Sequence, residues 1–195
     1  WVFDESRQEG DTEIVENGTS IYLLVFHSRT RNDYNTVDVR HILFKVDTTG
    51  LDSKAEDYQA KLEELKAGKK QEAENALQAW KDGDATEDSF AALANELSDD
   101  TGSNTNGGLY TEILQGQMVT EFNDWCFDAS RKAGDTGIVY NDGSYIGYHV
   151  MYFVGEDIPA WQVSVKNALI SSDYAAWLDS LVTAADAQLL DGMES

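Results

Sequence analysis

The sequence predicts an α+β fold, a mixed β-sheet flanked by helices, with partial repeat units on either side of one whole unit. Three observations carry this. Short β-branched and aromatic runs at 37–46, 136–140 and 148–153 are separated by long stretches of helical period between 53 and 97. Residues 1–15, WVFDESRQEGDTEIV, match residues 125–139, WCFDASRKAGDTGIV, at ten of fifteen positions. An amphipathic stretch at 172–190 follows the last strand.

The chain has 195 residues, enough to bury a substantial core as one large domain or two small ones. Its 36 acidic residues against 14 basic ones give a net charge of −22, which repels phosphate backbones and anionic lipid headgroups. Nucleic acid is therefore excluded as a partner. The hydrophobic fraction of 42% excludes disorder. The longest apolar run is Ile21–Phe26, too short to span a bilayer. A single cysteine, Cys126, permits neither an internal disulfide nor a cysteine zinc cluster.

Each element has a reason. Val37, Val39, Ile42 and Phe44 make 37–46 a strand. Asp47–Gly50 is a turn. Residues 53–81 are rich in Ala, Glu, Lys, Leu and Gln, with Leu62, Leu65, Ala73, Ala76, Leu77 and Trp80 at helical spacing and a weak point at Gly68. Phe90, Leu93, Ala94 and Leu97 mark a second helix over 87–97. Residues 98–108 form a polar, glycine-rich loop. Phe122, Trp125, Cys126 and Ala129 lie on the inner face of a short helix at 120–129. Strands 136–140 and 148–153 are joined by a turn containing Asn141-Asp142-Gly143. In the last helix, Tyr174, Trp177, Leu178, Leu181, Val182, Ala185 and Leu189 are expected to point inward.

The repeat suggests three segments: 1–34 as the tail of a degenerate unit, 35–156 as a whole unit, and 157–195 as the head of another. For that head, VSVKNALI at 163–170 aligns with VDVRHILF at 37–44. The two flanking pieces expose complementary apolar faces and are expected to pack together, within one chain or as a homodimer by segment exchange; the sequence does not choose.

Several motifs then point one way. Val39-Arg40-His41-Ile42-Leu43, Ser98-Asp99-Asp100, the pair Gly107-Gly108, Gly116-Gln117-Met118-Val119 with Phe122 and Phe127, and Gly147-Tyr148-His149-Val150 occur in this order. This set resembles the parvulin-type peptidyl-prolyl isomerases over about 37–154. The resemblance implies a parvulin-like sheet with His41 and His149 on adjacent central strands. It also implies a site in which His41, Asp100, Ser144 and His149 are catalytic, and Leu109, Tyr110, Met118, Phe122 and Phe127 contact substrate. Tyr110 stands where the family has a pocket leucine, and Ser144 where it has a threonine.

The chemistry is non-covalent. Amide resonance sets a rotation barrier of about 18–20 kcal/mol. A site that grips the proline ring and favours the twisted amide needs an apolar cup and a few polar groups, with no cofactor and no metal. The expected partners are unfolded or proline-containing polypeptides. The loop at 45–52 carries only Lys45 among acids, which argues against a phosphoserine-proline preference. The alternative is a non-catalytic chaperone that uses the parvulin groove to bind peptide; it suits the flanking copies, which lack the histidines. The resemblance further implies an extracytoplasmic bacterial foldase with a membrane anchor upstream of Trp1, although an acidic cytoplasmic protein fits the composition nearly as well. His27 reads as a surface residue and Cys126 as a small core residue.

Overall fold

The computed structural model describes residues 1–29, 31–143 and 146–184, and the chain folds as two units, Trp1–Asn32 and Asp33–Ser195. In the first unit, β1 (Thr12–Asn17) and β2 (Ser20–Val25) pair antiparallel, with Thr12 opposite Val25 and Asn17 opposite Ser20. Gly18 sits in the two-residue loop between them at φ 59°. That is the left-handed region, which glycine enters without a Cβ penalty.

The second unit is built on β3 (Asn35–Lys45), whose β-branched residues line both faces. Helices α1 (Tyr58–Asp82) and α2 (Glu87–Leu97) follow, then β4 (Leu109–Ile113), α3 (Thr120–Cys126), β5 (Thr136–Asn141), β6 (Gly147–Pro159) and α4 (Ala160–Ala184). The sheet order is β4-β3-β6-β5. The α+β class read from the sequence holds, while every described pairing is antiparallel rather than mixed in direction. β4, a strand to which the sequence analysis assigns no element, pairs with the first half of β3, Arg40 opposite Leu109.

Alternation along β3 and β6 divides the core in two. One face carries Ile42, Phe44 and Val150 against Ala73, Ala76, Leu77 and Trp80 of α1 and Phe90 and Ala94 of α2. The other carries Val39, Met151 and Phe153 against Ile113 and the α3 residues Phe122 and Cys126. α1 runs unbroken through Gly68, because packing of its C-terminal half outweighs the roughly 1 kcal/mol glycine penalty. α2 begins at a reciprocal cap: Ser89 N donates to Thr86 Oγ1 (3.2 Å) and Thr86 N to Ser89 Oγ (3.0 Å).

The last helix differs most from the expectation. β6 runs to Pro159 and α4 starts at once, so 163–170 is helical and the helix begins twelve residues early. Its expected inward face is exposed: Tyr174 at 60% and Trp177 at 55%, with Leu178, Leu181 and Val182 also open. Ala185 and Leu189 lie outside the described residues. No described helix is long and apolar enough to cross a membrane.

Cys126 is buried, and burial pushes its thiol up to about 12. A thiol reagent at about pH 8 should leave the native protein unlabelled and modify it only after unfolding, because the thiolate is the reacting species. Rapid labelling of the folded protein would contradict this packing.

Candidate active site

Leu43 lies opposite His149 and His41 opposite Met151 in the β3–β6 ladder. The two histidines are therefore diagonal neighbours on one face of the sheet. Both rings are buried, stack with centroids 5.4 Å apart at 21°, and bring their Nδ1 atoms to 3.2 Å. Phe122 of α3 stands edge-on to both, at 5.4 Å from His41 and 5.7 Å from His149.

The loop after α2 brings Asp100 to this pair. Beyond His41, β4 no longer pairs with β3, and the loop takes its place. Asp99 N donates to Leu43 O (2.8 Å), Lys45 N donates to Asp99 Oδ2 (2.9 Å), and Leu43 N donates to Ser98 Oγ (3.0 Å). The glycine pair closes the loop against the strand. Gly108 O accepts from His41 N at 2.9 Å, and a Cβ on Gly108, at φ 69°, would stand 2.1 Å from His41 O.

Asp100 is held by four donors. Oδ2 accepts from His41 Nε2 (2.9 Å), from Tyr110 Oη (3.0 Å) and from Ser103 Oγ, and Oδ1 accepts from Gly102 N (3.1 Å). The hydrogen bond from His41, followed by those from Ser103 and Gly102, outweighs partial burial and holds the carboxyl well below the usual carboxylate range. An ionised Asp100 can only accept, so His41 donates through Nε2. A neutral His41 then has a bare Nδ1, which accepts from Nδ1–H of His149. The chain of hydrogen bonds thus fixes both tautomers.

Above this floor lies a cavity of about 260 Å³. His41, His149 and Asp100 form its polar side; Leu43, Tyr110, Met118, Val119 and Phe122 form its apolar wall, with Gln117 at the rim. The turn that presents Gln117 and Met118 is pinned by Leu114 N donating to Gln117 Oε1 (2.9 Å) and Gly116 N donating to Asn123 Oδ1.

Six of the nine site residues read from the sequence meet at this cavity: His41, Asp100, His149, Tyr110, Met118 and Phe122. Leu109 does not line it; on β4 it lies opposite Arg40 of β3, and its backbone is held by Asn106. Phe127 falls beyond the end of α3 and packs edge-on against Tyr34 at 6.0 Å, beside a separate cavity. Ser144 lies outside the described residues. Ser103 was missed in the sequence. Its spacing three residues after Asp100 was the one available signal, since that places a hydroxyl within reach of a carboxylate across a turn.

Residues 22–155 match the family model described as PPIC-type PPIase domain. The chain is 28% identical over 191 residues to foldase protein PrsA 1 of Listeria innocua, covering 91% of this chain and 55% of that protein. Among solved structures it is similar to peptidylprolyl isomerase (PrsA) from Bacillus cereus, with a TM-score of 0.46 at 20% identity, covering 83% of this chain and 54% of that one. The corresponding protein from Bacillus anthracis gives a TM-score of 0.46 at 19% identity, covering 82% and 64%. The chain spans about half the length of the curated relative it matches.

Proposed function

We propose that this chain, which belongs to the PPIC-type PPIase domain family, acts as a peptidyl-prolyl cis-trans isomerase on unfolded or partly folded polypeptides. The observation that carries the reading is the apolar cavity floored by the Asp100–His41–His149 chain. A proline ring fits against Met118, Phe122 and Val119, where a thioether and an aromatic edge grip an aliphatic ring without directional demands.

Rotation of the X-Pro bond breaks amide conjugation and moves electron density from the carbonyl oxygen back to nitrogen. A fixed carboxylate beside that oxygen favours this redistribution, and one already satisfied by four donors needs no rearrangement as charge shifts. In this reading Asp100 sets the field, the two imidazoles lock its position, and Ser103 and Tyr110 position the carboxylate. Tyr110 further narrows the wall at which a leucine would leave more room.

The test is a proline-peptide isomerisation assay on Met118→Ala. Met118 is only partly buried, so its truncation should lower kcat/KM by about tenfold while the protein stays folded. Unchanged turnover with a loss of stability would instead make Met118 a packing residue. Phe122→Ala is the harsher companion: at 2% exposure its loss should cost about 3–5 kcal/mol besides activity. No acceleration by the wild-type protein would leave the groove as a peptide-binding module without turnover.

The clients are expected to be cationic. With a net charge of −22, association with a basic unfolded protein should slow as salt rises and the Debye length shrinks. A salt-independent on-rate would contradict this. The reading extends to an extracytoplasmic location and to a membrane anchor provided by residues other than these.

A further inference from the structure

The first unit repeats the loop and the strand pairing that close the second. Arg7 lies 4.6 Å over the ring of Trp1 and donates through Nε to Trp1 O, while Arg131 lies 3.9 Å over Trp125 and donates through Nε to Trp125 O. Ser6 donates twice to Asp4 Oδ1, as Ser130 does to Asp128 Oδ1. Phe26 N donates to Asp11 O and Gly10 N to Phe26 O; Phe153 N donates to Asp135 O and Gly134 N to Phe153 O. The strands follow in the same register: Thr12 opposite Val25 as Thr136 opposite Tyr152, through to Asn17 opposite Ser20 as Asn141 opposite Gly147.

This correspondence gives each exposed residue of the first hairpin a counterpart whose surroundings are known. Ile14, Ile21, Leu23 and Val25 occupy the places of Ile138, Tyr148, Val150 and Tyr152. In the second unit those four belong to or pack on the core formed with α1 and α2, and Val150 is fully buried. In the first unit they are 63%, 71%, 73% and 64% exposed. The outer edge of β6 is filled by β3, from Asn35 opposite Pro159 to Lys45 opposite Gly147. Among the described residues β2 pairs with β1 alone.

We infer that the first hairpin is a docking surface for a strand followed by a helix, of the kind that β3 and α1 form in the second unit. The strand would run antiparallel along β2, with β-branched residues at alternate positions as in Val37 and Val39. The helix would cover Ile14, Ile21, Leu23 and Val25 with a face of small and aromatic residues, as Ala73, Ala76 and Trp80 cover the equivalent face. Burial of four large apolar side chains drives the association. Tyr22 stands where β6 has His149, so the completed fold lacks the paired imidazoles and is a binding or scaffolding unit. The inference goes beyond turnover at the second unit's pocket and does not depend on it.

The probe is a synthetic peptide of residues 35–82, which carries the β3 and α1 sequences, added to the full chain. Amide hydrogen exchange is read in residues 12–26. Exchange there should slow by about tenfold or more, with a scrambled peptide without effect. A double variant, Ile21→Asp with Leu23→Asp, should lose the protection while exchange in β6 stays as in wild type. These side chains are exposed, so that variant keeps the second unit folded. No slowing in 12–26, or equal slowing by the scrambled peptide, would overturn the inference. So would a protein that sediments alone as a dimer with 12–26 already protected, since a second copy would then occupy the face.

Discussion

Gly108→Ala is expected to lower the unfolding free energy by about 3 kcal/mol or more. Two costs add. The residue holds φ at 69°, where an L side chain costs about 1–2 kcal/mol. The new Cβ would also stand 2.1 Å from His41 O and 3.1 Å from His41 N, and backbone atoms of a central strand cannot swing aside as a flexible side chain can. Overpacking of that kind costs a further ~1–3 kcal/mol. Gly116→Ala is the matched control: its φ is 80° and nothing lies within 4 Å of its Cβ position, so only the backbone cost of about 1–2 kcal/mol applies. Urea unfolding with an unchanged m-value measures both. Equal losses in the two variants would mean that the loop after Asn106 can move away from β3. Because Gly108 accepts the His41 amide, the folded fraction of Gly108→Ala should also lose activity.

What the sequence revealed and what it hid divides along a physical line. The boundaries of α2 were legible because the signals are local: the helical spacing of Phe90, Leu93, Ala94 and Leu97 and the polar run that follows Leu97. His41, Met118, Phe122 and His149 were legible because a motif fixes them by order along the chain. β4 was not, since LYTEI is short and becomes a strand only through the ladder it makes with β3. Ser103 was hidden in a run of polar residues whose geometry is set by Asp100 and the glycine pair. Phe127 follows Phe122 by five residues, and that spacing alone does not tell that α3 stops at Cys126 and turns the ring toward Tyr34. In α4 the apolar pattern gave the helix, but pattern cannot say whether the apolar side is covered, and here it is open.

Asp100→Asn tests the floor of the site. The carboxamide keeps the shape but offers one acceptor oxygen and a new N–H₂ donor to three donors that converge on a single oxygen, those of His41, Ser103 and Tyr110. Either an N–H then faces an N–H or O–H, or the ring of His41 changes tautomer and its link to His149 has to reverse direction. Activity should fall by about a hundredfold or more, the scale for losing a preorganised electrostatic group. Turnover equal to wild type would remove Asp100 from the mechanism. The same variant has a stability signature. The folded-state carboxyl titrates below its unfolded value of about 3.9. Its stabilising contribution is therefore complete above that value and is lost as pH falls toward the depressed folded value. Wild type should be the more stable protein at about pH 6, and its margin over Asp100→Asn should shrink steadily from about pH 5 to pH 2. A margin independent of pH would show that the hydrogen bonds to Asp100 do not depend on its charge, and the tautomer chain through His41 and His149 would lose its anchor.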